Sequence, residues 1–339
     1  PESLVLVVNQ PVLADLSDID ESGTGFTGVA VTSNAPASPT DPDVVVLDVD
    51  LGAMQRGFAT GLDRESLGFN QMGDAYITYD TGLAVINRLA TGRDGEMFAA
   101  SRDRLIEGAN TGLSSPKGFD VADQQGWVLV TDNGDPAVRV YGAQAGGDVA
   151  PLFSTSLSVA PWDLDYDPDE DRLYVALTDG SVAVFDEYST RRGSAGADRV
   201  IIPAEGGVAF AAPTNLHGIV HVAETDQLIL SDVGSGANPT DGKLYVLGNA
   251  SGADGLTEVS VRIDDGDNNA VGATQLGNPV DIAFDGEHLY VAEKSQGMVL
   301  RFDNILSSAG GDVAPSLTWM QSAPESVSLI SDDLGRSPE

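Results

Sequence analysis

One unit recurs along this chain, and that repetition constrains its fold more than any other feature. The clearest copy, Pro279–Asp303, reads PVDIAFDGEHLYVAEKSQGMVLRFD. A second begins at Pro116 (PKGFDVADQQGWVLVTDNGDPAVRVY) and a third at Pro161 (PWDLDYDPDEDRLYVALTDGSVAVFD). A more divergent fourth begins at Leu216 (LHGIVHVAETDQLILSDVGSGANPTDGKLYVLG). Each holds three short runs of Val, Ile, Leu, Tyr and Phe separated by Asp/Gly turns, the pattern of successive antiparallel strands. A further apolar run follows each copy: Leu152–Phe153, Val200–Ile202, Val259–Ile263 and Leu317–Met320. Four strands in roughly 40–50 residues make one blade of a β-propeller.

Two more blades complete the count. Glu65–Phe69, Ala75–Tyr79, Ala84–Asn87 and Arg104–Glu107 repeat the four-strand order. The last blade forms only when the chain ends are joined. The C-terminal PESVSLISDDLGRSPE has the inner-strand pattern, the N-terminal ESLVLVVNQ resembles a second strand, and Val44–Asp50 supplies a third. The expected fold is all-β: a six-bladed propeller with four-stranded antiparallel blades, its ring closed by pairing N- and C-terminal strands so that no sheet edge stays open. The blades are assigned as 323–339 with 1–60, then 62–110, 111–157, 158–212, 213–275 and 276–321.

The units look like NHL-type repeats, and the whole is similar to the six-bladed SMP-30/gluconolactonase/NHL-like propellers of bacteria. The linkers EGANTGLSSPKG and AGGDVAPSLTW resemble those of exported members of that group. The resemblance implies a propeller, a periplasmic or extracellular location and a removed signal peptide; it does not imply an activity, because propellers host many.

Charge narrows the partners. Lys+Arg 17 against Asp+Glu 52 leaves a net charge of -35. Such a field repels phosphate backbones and anionic headgroups, so neither nucleic acid nor electrostatic membrane binding is expected. Acidic cover for solubility, in a lysine-poor halophilic style (Lys117, Lys243 and Lys294 alone), accounts for the bias. There is no cysteine, which removes disulfides and thiolate chemistry. No apolar run approaches the roughly 20 residues that span a bilayer. A monomer is the expected state.

In a propeller the innermost strand of each blade lines the central channel and starts at one mouth. Aligning those strands places Glu325, Glu65, Lys117, Trp162, His217 and Val280 at the mouth, followed by Ser326, Ser66, Gly118, Asp163, Gly218 and Asp281. Related lactonases hold a divalent metal here with Glu, Asn and Asp. Carried over by position, the resemblance assigns only Glu325 and Glu65. Glu65 and Glu325 with His217 form an alternative carboxylate–imidazole set, with Asp163 or Asp281 as candidate catalytic base. Trp162 is the tryptophan placed to stack on a ligand, whereas Trp127 and Trp319 fall on strands.

Long connections fall on the same rim: Pro11–Asp43, Asp232–Gly242 and Asp264–Gly277. Insertions gathered on one face of a rigid scaffold point to binding. Two of them cluster oxygen ligands as calcium loops do, Asp264, Asp265, Asp267 and Asn269 in one and Asp18 and Asp20 in the other, without completing an EF-hand. Gly23–Gly28 spells a dinucleotide fingerprint, but no strand–helix unit surrounds it, so it reads as a glycine-rich loop. A divalent ion, calcium first, is the one cofactor expected; no nucleotide or organic cofactor is. Two functions follow: an exported scaffold binding a small molecule or protein at its mouth, or a metal-dependent hydrolase of the lactonase type.

Overall fold

The computed structural model describes residues 25–331 and Leu334, apart from 37, 39, 94, 96, 97, 195, 267 and 268. Within them the apolar runs become strands, arranged in six four-stranded antiparallel units. From channel to rim, blade 2 is Arg64–Phe69, Ala75–Tyr79, Gly82–Ile86 and Arg104–Glu107. Blade 3 is Pro116–Ala122, Trp127–Asp132, Ala137–Gly142 and Phe153–Ser156, and blade 4 is Pro161–Asp167, Arg172–Leu177, Val182–Phe185 and Arg199–Glu205. Blade 5 is Leu216–Val222, Gln227–Asp232, Lys243–Gly248 and Gly255–Ile263, and blade 6 is Pro279–Phe284, His288–Glu293, Met298–Asp303 and Leu317–Met320. The outer strands of blades 4 and 5 pair in parallel, Ile201 opposite Gly255, and so join two blades into one sheet.

Blade 1 combines both ends of the described chain: Pro324–Ser331, Phe26–Ser33, Val44–Leu47 and Met54–Phe58. This corrects the sequence reading. The partner of the C-terminal strand is Phe26–Ser33, with Val29 opposite Leu329 and Val31 opposite Val327. Residues 2–10, expected in that place, lie outside the described residues. The strand is built on Val29, Ala30 and Val31, buried on both faces, with Val29 and Val31 turned to blade 6 and Ala30 to blade 2. The connection from second to third strand is therefore Asn34–Asp43, shorter than the expected Pro11–Asp43.

Middle strands are buried at almost every position because both faces of a blade meet another blade. Along Val44–Leu47, Val44 and Val46 pack on blade 2, while Val45 and Leu47 pack on blade 6. An apolar cluster fills each interface around the ring, the closing one included: Val29 and Val31 of blade 1 meet Tyr290, Ala292 and Val299 of blade 6. No helix among the described residues is long and apolar enough to cross a membrane.

Deleting residues 324–339 removes the inner strand of blade 1 and exposes one face of two clusters. Calorimetry is expected to show loss of the cooperative transition; an unchanged transition would mean that the ring is held without this closure.

Candidate functional site

Each inner strand carries a bulge at the same place. The register slips between Pro116 and Phe119, Pro161 and Leu164, Leu216 and Ile219, Arg64 and Leu67, Pro279 and Asp281, and beside Glu325. A bulge leaves its extra residue unpaired and re-aims it. Here it collects the expected mouth residues into one ring. In five blades the first backbone N–H of the turn between second and third strands bonds the residue just before the inner strand: Asn34 to Ala323, Asn133 to Ser115, Thr178 to Ala160, Val233 to Asn215 and Lys294 to Asn278. Both sets of loops therefore share the mouth face, and the long segments 34–43, 233–242 and 264–278 all lie there.

Charges in the ring are paired internally. Lys117 Nζ lies 2.5 Å from Glu65 Oε1. Glu325 is bound by Lys294, which reaches in from the turn of blade 6 rather than from an inner strand. Burial raises the Glu325 carboxyl above its usual range, opposed by Lys294. His217 stacks on Trp162 with ring centroids 3.5 Å apart and planes 13° from parallel. From the preceding blade, Lys117 Nζ stands 4.9 Å from the Trp162 ring. The indole is thus held between two neighbours instead of offering a bare face. His217 is 5% exposed, and neither ring nitrogen has a hydrogen-bond partner among the described residues. Burial, then Lys117 and Lys294, pushes its pKa well below the ordinary value, so the ring is neutral. A space of about 10 Å³ remains at the mouth, at the limit for one water.

The structure does not bring Glu65, Glu325 and His217 together as a ligand set. Each glutamate holds a lysine, and among the described residues no three His, Asp or Glu side chains are grouped to bind a metal ion. Of the calcium-loop candidates, Asp264 is turned onto Arg262, whose Nε stands 2.8 Å from Asp264 Oδ2. Asp265 and Asn269 lie in the loop that follows. Asp267, Asp18 and Asp20 lie outside the described residues.

Asp163 and Asp281 sit one step below the ring and serve the scaffold directly. Asp163 Oδ2 accepts the N–H of Ile219 in the next blade at 3.4 Å, and Asp281 Oδ2 that of Val327 at 3.1 Å. Ser326, at the same level, donates to Asp281 and accepts from Leu67 N–H at 3.0 Å. Two residues further along, Asp120 Oδ2 accepts from Tyr166 N–H at 3.0 Å and Asp165 Oδ2 from His221 N–H at 2.9 Å. Sequence reasoning missed this second pair; the signal was Asp at the third residue after the mouth position in both PKGFD and PWDLD. All four carboxyls face a channel cavity of about 330 Å³ that Phe26, Phe69 and Phe284 line at the far end. They are half-buried, crowded by protein on all sides but the one facing this space. Burial raises Asp163 well above the carboxyl range, with the charge of Asp281 adding to it. It raises Asp281 to about 7 and Asp165 to about 8.

No family model and no curated protein matches the chain. Solved structures do. A chain of the nidogen/laminin complex matches with TM-score 0.60 and 15% identity over 90% of this chain and 98% of that one. The periplasmic gluconolactonase of Pseudomonas aeruginosa matches with TM-score 0.58 and 12% identity over 90% and 99%. The hydrazine synthase of Kuenenia stuttgartiensis matches with TM-score 0.56 and 16% identity over 86% and 84%. The likeness is one of fold.

Two tests follow from the channel. A Cβ at Gly118 would stand 1.9 Å from Asp163 Oδ1 and 2.6 Å from Asp163 Cα. Gly118→Ala is expected to cost about 1–3 kcal/mol, as overpacking does; a denaturant midpoint equal to wild type would show that the two strands can part freely. The second test is pH. Asp281 and Asp165 hold protons in the folded state that the unfolded chain, with carboxyls near pKa ~4, has released. Their contribution is therefore present at low pH and lost as pH rises through 7 to 8. His217 and His221, lowered by burial, act in the opposite sense but finish by roughly pH 6.5. From about pH 6.5 to 8.5 stability is expected to fall by on the order of 1–2 kcal/mol per group, and Asp165→Asn, which keeps an acceptor for His221 N–H, to flatten the slope. A rising or unchanged slope in that variant would refute the assignment.

Proposed function

We propose that this chain is a binding propeller that recognises its ligand through the loop-bearing mouth face rather than through metal chemistry in the channel. The observation that carries the reading is the combination on one face of three long loops, 34–43, 233–242 and 264–278, with a ring whose carboxylates are already neutralised by Lys117 and Lys294. Such a ring closes the mouth and supports the loops above it. Metal-dependent hydrolysis of the lactonase kind, the alternative the fold suggests, requires Glu65 and Glu325 to give up those lysines. A place outside the cytoplasm accords with a fold likeness to a periplasmic protein; it belongs to the same proposal.

The test has two arms. In the first, γ-lactones, δ-lactones and aryl esters are assayed with calcium, magnesium, manganese or zinc. Rates are expected to stay at the uncatalysed level. Metal-dependent turnover lost in Glu325→Gln would overturn the proposal. In the second, a library of small acids, sugars and amines is titrated against isotope-labelled protein. Shifts are expected to gather on the three loops and the ring. Shifts confined to the far-end cavity around Phe69 and Phe284, or none at all, would count against this face.

A further inference from the structure

The mouth face has a second cavity, distinct from the channel, of about 430 Å³ on the rim of blade 5. Phe210, Pro213 and Thr214, from the connection that leads into blade 5, form one side; Lys243, Tyr245 and Arg262 of its third and outer strands form the other. Two of the enlarged loops flank it: 233–242 ends at Lys243, and Gly266, in 264–278, lines the wall. Its size is that of a small-molecule pocket.

We infer that this pocket binds a small organic monocarboxylate with a flat apolar body. The inference rests on reading the loop face as the binding face and names the ligand chemistry there. Its first support is the sign of the wall. In a chain of net charge -35, none of the described residues lining the cavity is acidic and two are basic. The second is the state of those two. Arg262 is spent on the protein, held by Asp264 and, at 2.9 Å, by Glu205 Oε2, with its guanidinium carbon 5.2 Å from the Phe210 ring. Lys243 is not. Its Nζ donates to the Asp241 backbone carbonyl at 2.6 Å and has no ion-pair partner among the described residues. The nearest carboxyl by register is Asp232, fully buried and accepting from Asn215 N–H, Gly234 N–H and the Tyr245 hydroxyl; Lys243 favours its charge without a direct bond, which leaves ammonium donors over.

Lys117 and Lys294, the other two lysines, each hold a glutamate, so Lys243 is the ammonium with donors left for a ligand. Third is the flat wall. Phe210 lies on Tyr245 with centroids 4.7 Å apart and planes 6° from parallel, and Tyr245 is pinned by its bond to Asp232. Arg262 stands over the same Phe210 ring and Tyr245 is buried, so the stack gives the cavity a rigid apolar rim against which a flat apolar body can lie. One available ammonium inside a strongly negative field matches one carboxylate; a phosphate dianion would meet the same single charge and stronger long-range repulsion.

The experiment titrates labelled full-length chain with benzoate, phenylacetate and 2-naphthoate, each beside its neutral amide. At least one carboxylate is expected to saturate below roughly 10 mM, shifting residues 210–214 and 243–245, with its amide about tenfold weaker or more. Lys243→Met is expected to lose about tenfold or more in affinity while keeping the wild-type melting temperature, and Lys243→Arg to retain most of it. Lys117→Met serves as the comparison variant at the channel mouth. No saturation by any carboxylate, equal binding of acid and amide, or unchanged binding in Lys243→Met would each overturn the site. Binding lost in Lys117→Met but not in Lys243→Met would overturn it while leaving the mouth face as the binding face.

Discussion

The inner strands of neighbouring blades share no backbone ladder, and the channel is held instead by side-chain oxygens that reach from one blade to the next. Ser326, Asp163 and Asp281 each accept the N–H two residues beyond the next mouth position or one beyond their own level; Asp120 and Asp165 repeat the device one level lower. A buried N–H must find an acceptor. With strands splayed around an axis, a carboxyl spans what a carbonyl does not. The proton makes this tolerable: a neutral acid still accepts through its carbonyl oxygen, so burial raises the pKa without breaking the clamp. Gly118 follows from the same crowding, since Asp163 occupies the place a Cβ would take.

A second carboxylate device fixes the mouth. Asp132 accepts from Ser114 and Ser115 ahead of its inner strand and from Gly134 and Asp135 in its turn, and Glu293 does likewise for Gly277, Asn278, Ser295 and Gln296. Asp232 bridges Asn215 and Gly234 in blade 5. Each locks the connection from the previous blade to the turn beside it. Long loops can therefore be carried on this face without loosening the ring beneath them, because the start of 233–242 and the end of 264–278 are each bonded to a buried carboxyl.

Blades 3, 4 and 6 were legible in the sequence because apolar runs buried on both faces leave an unmistakable spacing between Asp/Gly turns. The mouth ring was legible too, since the bulge falls at one position of the repeat whatever residue stands there. Blade 1 was half hidden. Its second strand follows a glycine-rich stretch, and ESLVLVVNQ imitates the pattern better than FTGVAVTS does. The partners in the ring were hidden for a different reason. Alignment of inner strands cannot reveal that Lys294, from a turn, takes Glu325, or that Trp162 is covered by Lys117 and His217. The carboxylates suggested a metal because their neutralising cations lie elsewhere in the repeat.

The placement of lysine ties these points together. With acid in such excess, cations are the scarce resource, and all of Lys117, Lys243 and Lys294 stand on the mouth face. Two of them close the ring, where a ligand would have to displace a glutamate from its lysine or part the Trp162–His217 stack before gaining a contact of its own. That displacement is subtracted from affinity in full. The rim cavity of blade 5 asks for no such exchange: its space is open, its aromatic wall is already ordered, and its ammonium has donors to spare. Preorganisation, more than the number of charged groups, separates the two sites, and it favours recognition beside the channel rather than in it.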